Sequence, residues 1–151
     1  MHRPWFFFYG TLSEDHDNAV TRKLLPLLAG GRQADVRGAL RAVRCADGWY
    51  PVLSAGTGRV KGRIYRARRH FGARELRWLD RYEDFDRRKP AQSEYVRRTV
   101  RVRIVGKGWV TALVYVYNRP CHPGLRVIPD GDFTAFQRRR RLRVFDPASR
   151  A

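Results

Sequence analysis

The chain has 151 residues, enough for one domain that buries a core without disulfide or metal staples. Hydrophobic residues make up 43% and aromatics 13%, which excludes wholesale disorder, and no apolar run approaches the ~18 residues of a membrane span. Lys and Arg number 32 against 14 Asp and Glu, a net charge of +18, so attraction to polyanions and acidic small molecules is expected, although a GC-rich genome alone also inflates arginine.

Residues 4–9 form a short aromatic-rich run ending at Gly10, which predicts a buried strand. Residues 13–18 are polar and predict a loop that caps a helix over Ala19–Leu28, shortened or kinked by Pro26 and bounded by Gly30-Gly31. Loose alternation from Ala34 to Cys45 predicts a strand, Asp47-Gly48 a turn, and Tyr50–Leu53 a second short strand. Gly56-Thr57-Gly58 predicts a hairpin turn leading into a strand over 59–67. Leu76, Leu79 and Tyr82 line one face of a helix over 72–83. Asp84 to Ser93 is polar and predicts a loop.

Val96, Val100, Val102 and Ile104 share one face of the next strand, and Arg97, Arg101 and Arg103 the solvent face. Gly106-Lys107-Gly108 turns into Trp109–Tyr117, apolar on both faces and so expected to be central and buried; the two strands read as a hairpin. A short strand over Leu125–Ile128 and a helical turn over 132–137 precede Arg138–Arg141. The expected organisation is one domain over 1–137 and a basic tail over 138–151.

The motif search excludes several chemistries. Cys45 and Cys121 have no metal-ligand spacing and read as reduced thiols. His2, His16, His70 and His122 share no spacing, and neither a nucleotide-binding loop nor a Gly-x-Ser-x-Gly elbow occurs. No metal and no cofactor are expected. The opening residues lack a signal-peptide layout, so the expected location is cytoplasmic, with no membrane partner.

Two places could carry chemistry. Tyr9-Gly10-Thr11-Leu12 follows the first strand, where successive backbone N–H groups can cradle a carboxylate or simply make a plain turn. Asp80 and Glu83 lie three apart at the end of the predicted helix. They read either as a solvated face paired with Arg77, Arg81 and Arg87, or as a site where the helix dipole and aromatic neighbours raise a carboxyl towards general-base range.

Taken in order, Phe8-Tyr9-Gly10-Thr11-Leu12, Val36-Arg37-Gly38, Tyr50-Pro51-Val52-Leu53, Val60-Lys61-Gly62-Arg63-Ile64-Tyr65, Leu79-Asp80-Arg81-Tyr82-Glu83, Tyr95-Val96-Arg97-Arg98, Val114-Tyr115-Val116-Tyr117 and Gly131-Asp132-Phe133 resemble the γ-glutamylcyclotransferase-like (AIG2-like) family, from Phe6 to about Phe136. The resemblance implies an α+β fold: a small mixed or antiparallel β-barrel flanked by short helices. It implies that Tyr9, Gly10, Thr11 and Leu12 bind the glutamyl end of a small γ-glutamyl substrate and that Glu83 is the catalytic glutamate. The implied reaction is intramolecular aminolysis releasing 5-oxoproline and an amine. In the family a glycine usually follows the glutamate; here Asp84 does, a second carboxylate that shifts Glu83 further or points outward. The stretch from Glu83 to Tyr95 is longer than in the animal enzymes. A second expectation is a non-catalytic module on the same fold that binds a small molecule or a polyanion such as RNA; the core-facing placement of most aromatics speaks against nucleic acid.

Overall fold

The computed structural model describes residues 3–13, 15–46, 48–121 and 124–142. Of the positions singled out above, His2, Asp47, His122 and residues 143–151 of the basic tail lie outside the described residues.

Five strands close into a barrel. They are β1 (Trp5–Phe8), β2 (Leu28–Cys45), β3 (Gly48–Ala67), β4 (Tyr95–Ile104) and β5 (Gly108–Tyr117). Their order is β3-β1-β5-β4-β2, and a long β2–β3 pairing closes the ring. The β1–β5 pair is parallel and the others antiparallel, so the barrel is mixed, and closure removes the exposed sheet edges. A two-residue strand β6 (Arg126–Val127) lies beside β2.

Helix α1 (Ala19–Leu24) is started by a reciprocal cap. The Thr21 N–H donates to Asn18 Oδ1 at 2.9 Å, and the Asn18 N–H donates to Thr21 Oγ1 at 3.1 Å. Pro26 ends it sooner than expected: Leu25–Leu27 is a 3₁₀ turn, and the chain enters β2 at Leu28. Gly30-Gly31 therefore bounds no helix but makes a bulge inside β2, with a register shift between Gly30 and Arg32.

Helix α2 (Ala73–Tyr82) matches its expected span. Helix α3 (Phe133–Arg140) takes in Arg138, Arg139 and Arg140 and closes at Arg141, whose φ of 51° is left-handed. A cap from Asp132, which accepts from the Ala135 N–H at 3.0 Å, starts it.

Alternation along β1 sorts the core into two layers. Phe7 and Tyr9 point into the barrel with Val36, Leu53, Val60, Ile64, Val102 and Val114. Phe6 and Phe8 face outward and pack with Leu24, Tyr65, Phe71 and Leu79 beneath α1 and α2. Gly62, opposite this strand, has no room for a side chain, since a Cβ would sit 2.3 Å from the Phe8 carbonyl oxygen.

Three expectations are corrected. Gly56-Thr57-Gly58 makes no hairpin turn; β2 advances from Arg37 to Ala39 while β3 advances from Ser54 to Arg59, a wide bulge in one continuous strand. The reason is that both flanking segments pair with the long β2 rather than with each other. Trp109–Tyr117 is central in strand order, but its first half is not buried: Trp109 is 51% exposed, with the Arg59 and Arg101 guanidinium groups 5.6 and 5.5 Å from its ring centroid. Arg97, expected on the solvent face, is covered, because its end of β4 lies beneath α2, where it pairs with Asp80.

Candidate active site

A cavity of about 480 Å³ opens at one end of β1, a size typical of small-molecule sites. Tyr9 to Leu12 form one part of its lining, Tyr82, Glu83 and Asp84 a second, and Tyr50, Pro51, Glu94, Tyr95 and Tyr115 a third. The two segments singled out from the sequence, some seventy positions apart, thus border one space.

The Tyr9–Leu12 bend is fixed from both sides. Tyr9 is buried, its hydroxyl donating to the Tyr115 carbonyl at 2.6 Å and accepting from the Leu53 N–H at 3.3 Å. The Asn18 side-chain amide donates to the Thr11 carbonyl at 2.9 Å, tying the bend to the α1 cap. Gly10 packs so closely on Pro51 that a Cβ would lie 2.5 Å from its Cγ. Among the described residues, no group accepts a hydrogen bond from the N–H of Gly10, Thr11 or Leu12. Three consecutive unengaged N–H groups beside a cavity are a ready anion cradle.

Glu83 caps the C-terminus of α2, its N–H bonded to the Leu79 carbonyl at 3.1 Å. Burial pushes its carboxyl up to about 8, and the nearby charges of Glu94 and Asp80 act in the same direction. Among the described residues, no side chain donates a hydrogen bond to this carboxyl and no cation pairs with it. Asp84 takes the left-handed position that ends the helix, with φ of 53°, and its side chain is exposed. Of the two expected roles, the outward one holds: Asp84 is not among the charges that raise Glu83.

Asp80 does not belong to a solvated face with Arg77, Arg81 and Arg87. It is buried between the Arg97 guanidinium and the Tyr115 hydroxyl, which donates to Oδ1 at 2.7 Å. That network locks the end of α2 onto β4 and β5 and thereby sets where Glu83 stands. Tyr95 is locked too, donating to the Pro51 carbonyl at 2.7 Å.

Sequence reasoning missed Glu94. Its carboxylate accepts from the Tyr50 hydroxyl at 3.0 Å, across 44 positions of chain. Nothing local marks it except its place just before the first residue of β4. Among the described residues, no group of three His, Cys, Asp or Glu side chains has the arrangement of a metal site, and no helix is long and apolar enough to cross a membrane.

A closed five-stranded barrel with three short helices is the fold class of the AIG2-like proteins. The chain belongs to the family described as gamma-glutamyl cyclotransferase, AIG2-like, which it matches over residues 6–135. Among solved structures it is similar to YkqA from Bacillus subtilis, with 24% identity and a TM-score of 0.65 over 93% of this chain. The match takes in 43% of YkqA, so the chain corresponds to less than half of that protein. It is also similar to an AIG2-like protein from Mus musculus, with 22% identity and a TM-score of 0.58 over 80% of this chain and 81% of that one. A third likeness is to ytfP from Escherichia coli, with 24% identity and a TM-score of 0.57 over 85% of this chain and 95% of that one. No curated protein sequence matches the chain.

Proposed function

We propose that the protein is a cyclotransferase that releases 5-oxoproline and an amine from a small γ-glutamyl compound. The observation that carries this reading is the shared cavity: Glu83, raised to about 8 by burial, borders the same space as the unengaged N–H groups of Gly10, Thr11 and Leu12. The N–H groups receive the substrate's α-carboxylate. Glu83 removes a proton from the α-ammonium; a carboxyl raised to about 8 lies much nearer an ammonium's range than an ordinary carboxyl does, so the transfer is less uphill. The freed amine attacks the γ-carbonyl carbon and closes a five-membered ring. As the amide C–N bond breaks, protonated Glu83 returns the proton to the departing nitrogen. No water is consumed, and the acceleration comes from holding the substrate folded on itself beside a poised carboxyl.

The test is product identity. Incubation with a set of γ-glutamyl amides is expected to give 5-oxoproline and free amine in equal amounts. Glutamate as the product, or no product from any amide, overturns the reading.

A second reading, a polyanion-binding module on the same fold, has its own observation: Trp109 is exposed between Arg59 and Arg101 on a chain of net charge +18. Affinity for single-stranded RNA that falls steeply with salt and with Trp109→Ala is its signature; no binding at low salt removes it.

A further inference from the structure

Among the described residues, Asp15, Asp17, Asp35, Asp80 and Asp130 each hold at least one arginine. The two glutamates that line the cavity do not. Among the described residues, no arginine, lysine or histidine lies within ion-pair distance of Glu83 or Glu94, in a chain with 32 cationic side chains. Glu94 receives a neutral donor instead, the Tyr50 hydroxyl at 3.0 Å. Tyr50 and Tyr95, which flank it, also line the cavity, and the ring of Tyr117 stands edge-on to Tyr95 at 6.0 Å between centroids. A carboxylate held by one hydroxyl and walled by aromatic rings suits an ammonium group, which gains a charge-assisted hydrogen bond and favourable contact with the ring faces.

We propose that Glu94 is a specificity-determining residue that receives a second ammonium group, carried on the leaving-amine side of the substrate. This rests on the cyclotransferase reading. In that reading the substrate's α-carboxylate occupies the Gly10–Leu12 cradle and its α-ammonium faces Glu83, and the leaving-amine arm is assigned to Glu94. Preferred substrates are then γ-glutamyl amides of diamines. Leaving groups that carry a carboxylate, such as α-amino acids, are disfavoured, since they would set two negative charges together in a partly desolvated space. Tyr50 orients the Glu94 carboxylate and leaves its other oxygen for the ligand.

The experiment compares three γ-glutamyl amides whose leaving arms have four methylenes and end in an ammonium, a methyl or a carboxylate. Release of 5-oxoproline is measured at pH 9, where Glu83 is ionised and an alkylammonium still charged. Wild type is expected to favour the ammonium arm over the methyl arm by about tenfold or more in kcat/KM, chiefly through KM, with the carboxylate arm slowest. Glu94→Gln is expected to bring the ammonium-to-methyl ratio to within about twofold, and Glu94→Asp to restore part of the preference. Because the ratio is taken within one variant, partial misfolding cancels. Equal kcat/KM for the two arms in wild type, or an unchanged ratio in Glu94→Gln, overturns the proposal; the latter outcome means Glu94 serves only to raise Glu83. Should no amide be cyclised, the cyclotransferase reading fails, and calorimetric titration with 1,4-diaminobutane decides the subsite separately. Binding to wild type that is lost in Glu94→Gln supports it; no binding to wild type overturns it.

Discussion

Replacing Glu83 by glutamine is expected to stabilise the fold at alkaline pH while removing the reactive carboxyl. The carboxyl titrates at about 8 in the folded chain against 4.5 when exposed, so between those values the native state keeps a proton that the unfolded state has lost. Stability therefore falls as pH rises through that window, and the loss is complete above about 8. At full strength the difference amounts to about 5 kcal/mol; the cavity opens to solvent, so about 2–4 kcal/mol is expected. Glutamine carries no titrating proton. Urea unfolding of wild type and Glu83→Gln at pH 5, 7 and 9 isolates the effect, because every other group titrates alike in both. The variant is expected to gain on wild type steadily from pH 5 to pH 9, ending about 2–4 kcal/mol ahead of the pH 5 difference. A difference that stays constant with pH would refute the claim that the cavity desolvates Glu83.

Other outcomes follow from the same geometry. Gly10→Ala places a methyl 2.5 Å from the Pro51 ring, so the bend must shift; a loss of about 1–3 kcal/mol in urea unfolding and weakened substrate binding are expected. Asp84→Gly relieves a left-handed backbone position at φ of 53° and is expected to add about 0.5–1 kcal/mol, read as a rise of about 1–4 °C in Tm. Tyr115→Phe removes one of the two donors to buried Asp80 and is expected to cost about 1–3 kcal/mol in urea unfolding. It also loosens the seat of Glu83, so kcat should fall more than KM rises.

Much of the barrel was legible because its signals were local. The valines of β4 alternate with polar groups, β5 is a β-prone apolar run, and Gly106-Lys107-Gly108 marks the turn between them, so their hairpin follows from pattern and punctuation alone. The long β2–β3 pairing was not legible. Its bulges carry the same glycines that mark turns elsewhere, and only the partner strand decides whether the chain reverses or continues. Arg97 shows the limit of alternation: its face of β4 lies outside the barrel as expected, but α2 covers that stretch and supplies Asp80. The cavity was half legible. Tyr9–Leu12 and Glu83 emerged from the order of short motifs, none distinctive by itself. Glu94 stayed hidden because its role depends on Tyr50, which chain folding brings to it from another strand.

The central claim is that Glu83 moves the proton in an intramolecular aminolysis, and the rate of 5-oxoproline release by Glu83→Gln against wild type tests it most directly. With a γ-glutamyl amide that wild type cyclises, at pH 8, the variant is expected to be slower by about 10²–10⁴-fold, the usual worth of a positioned general base. Equal rates from the two proteins, with the variant's fold intact by circular dichroism, would contradict the account.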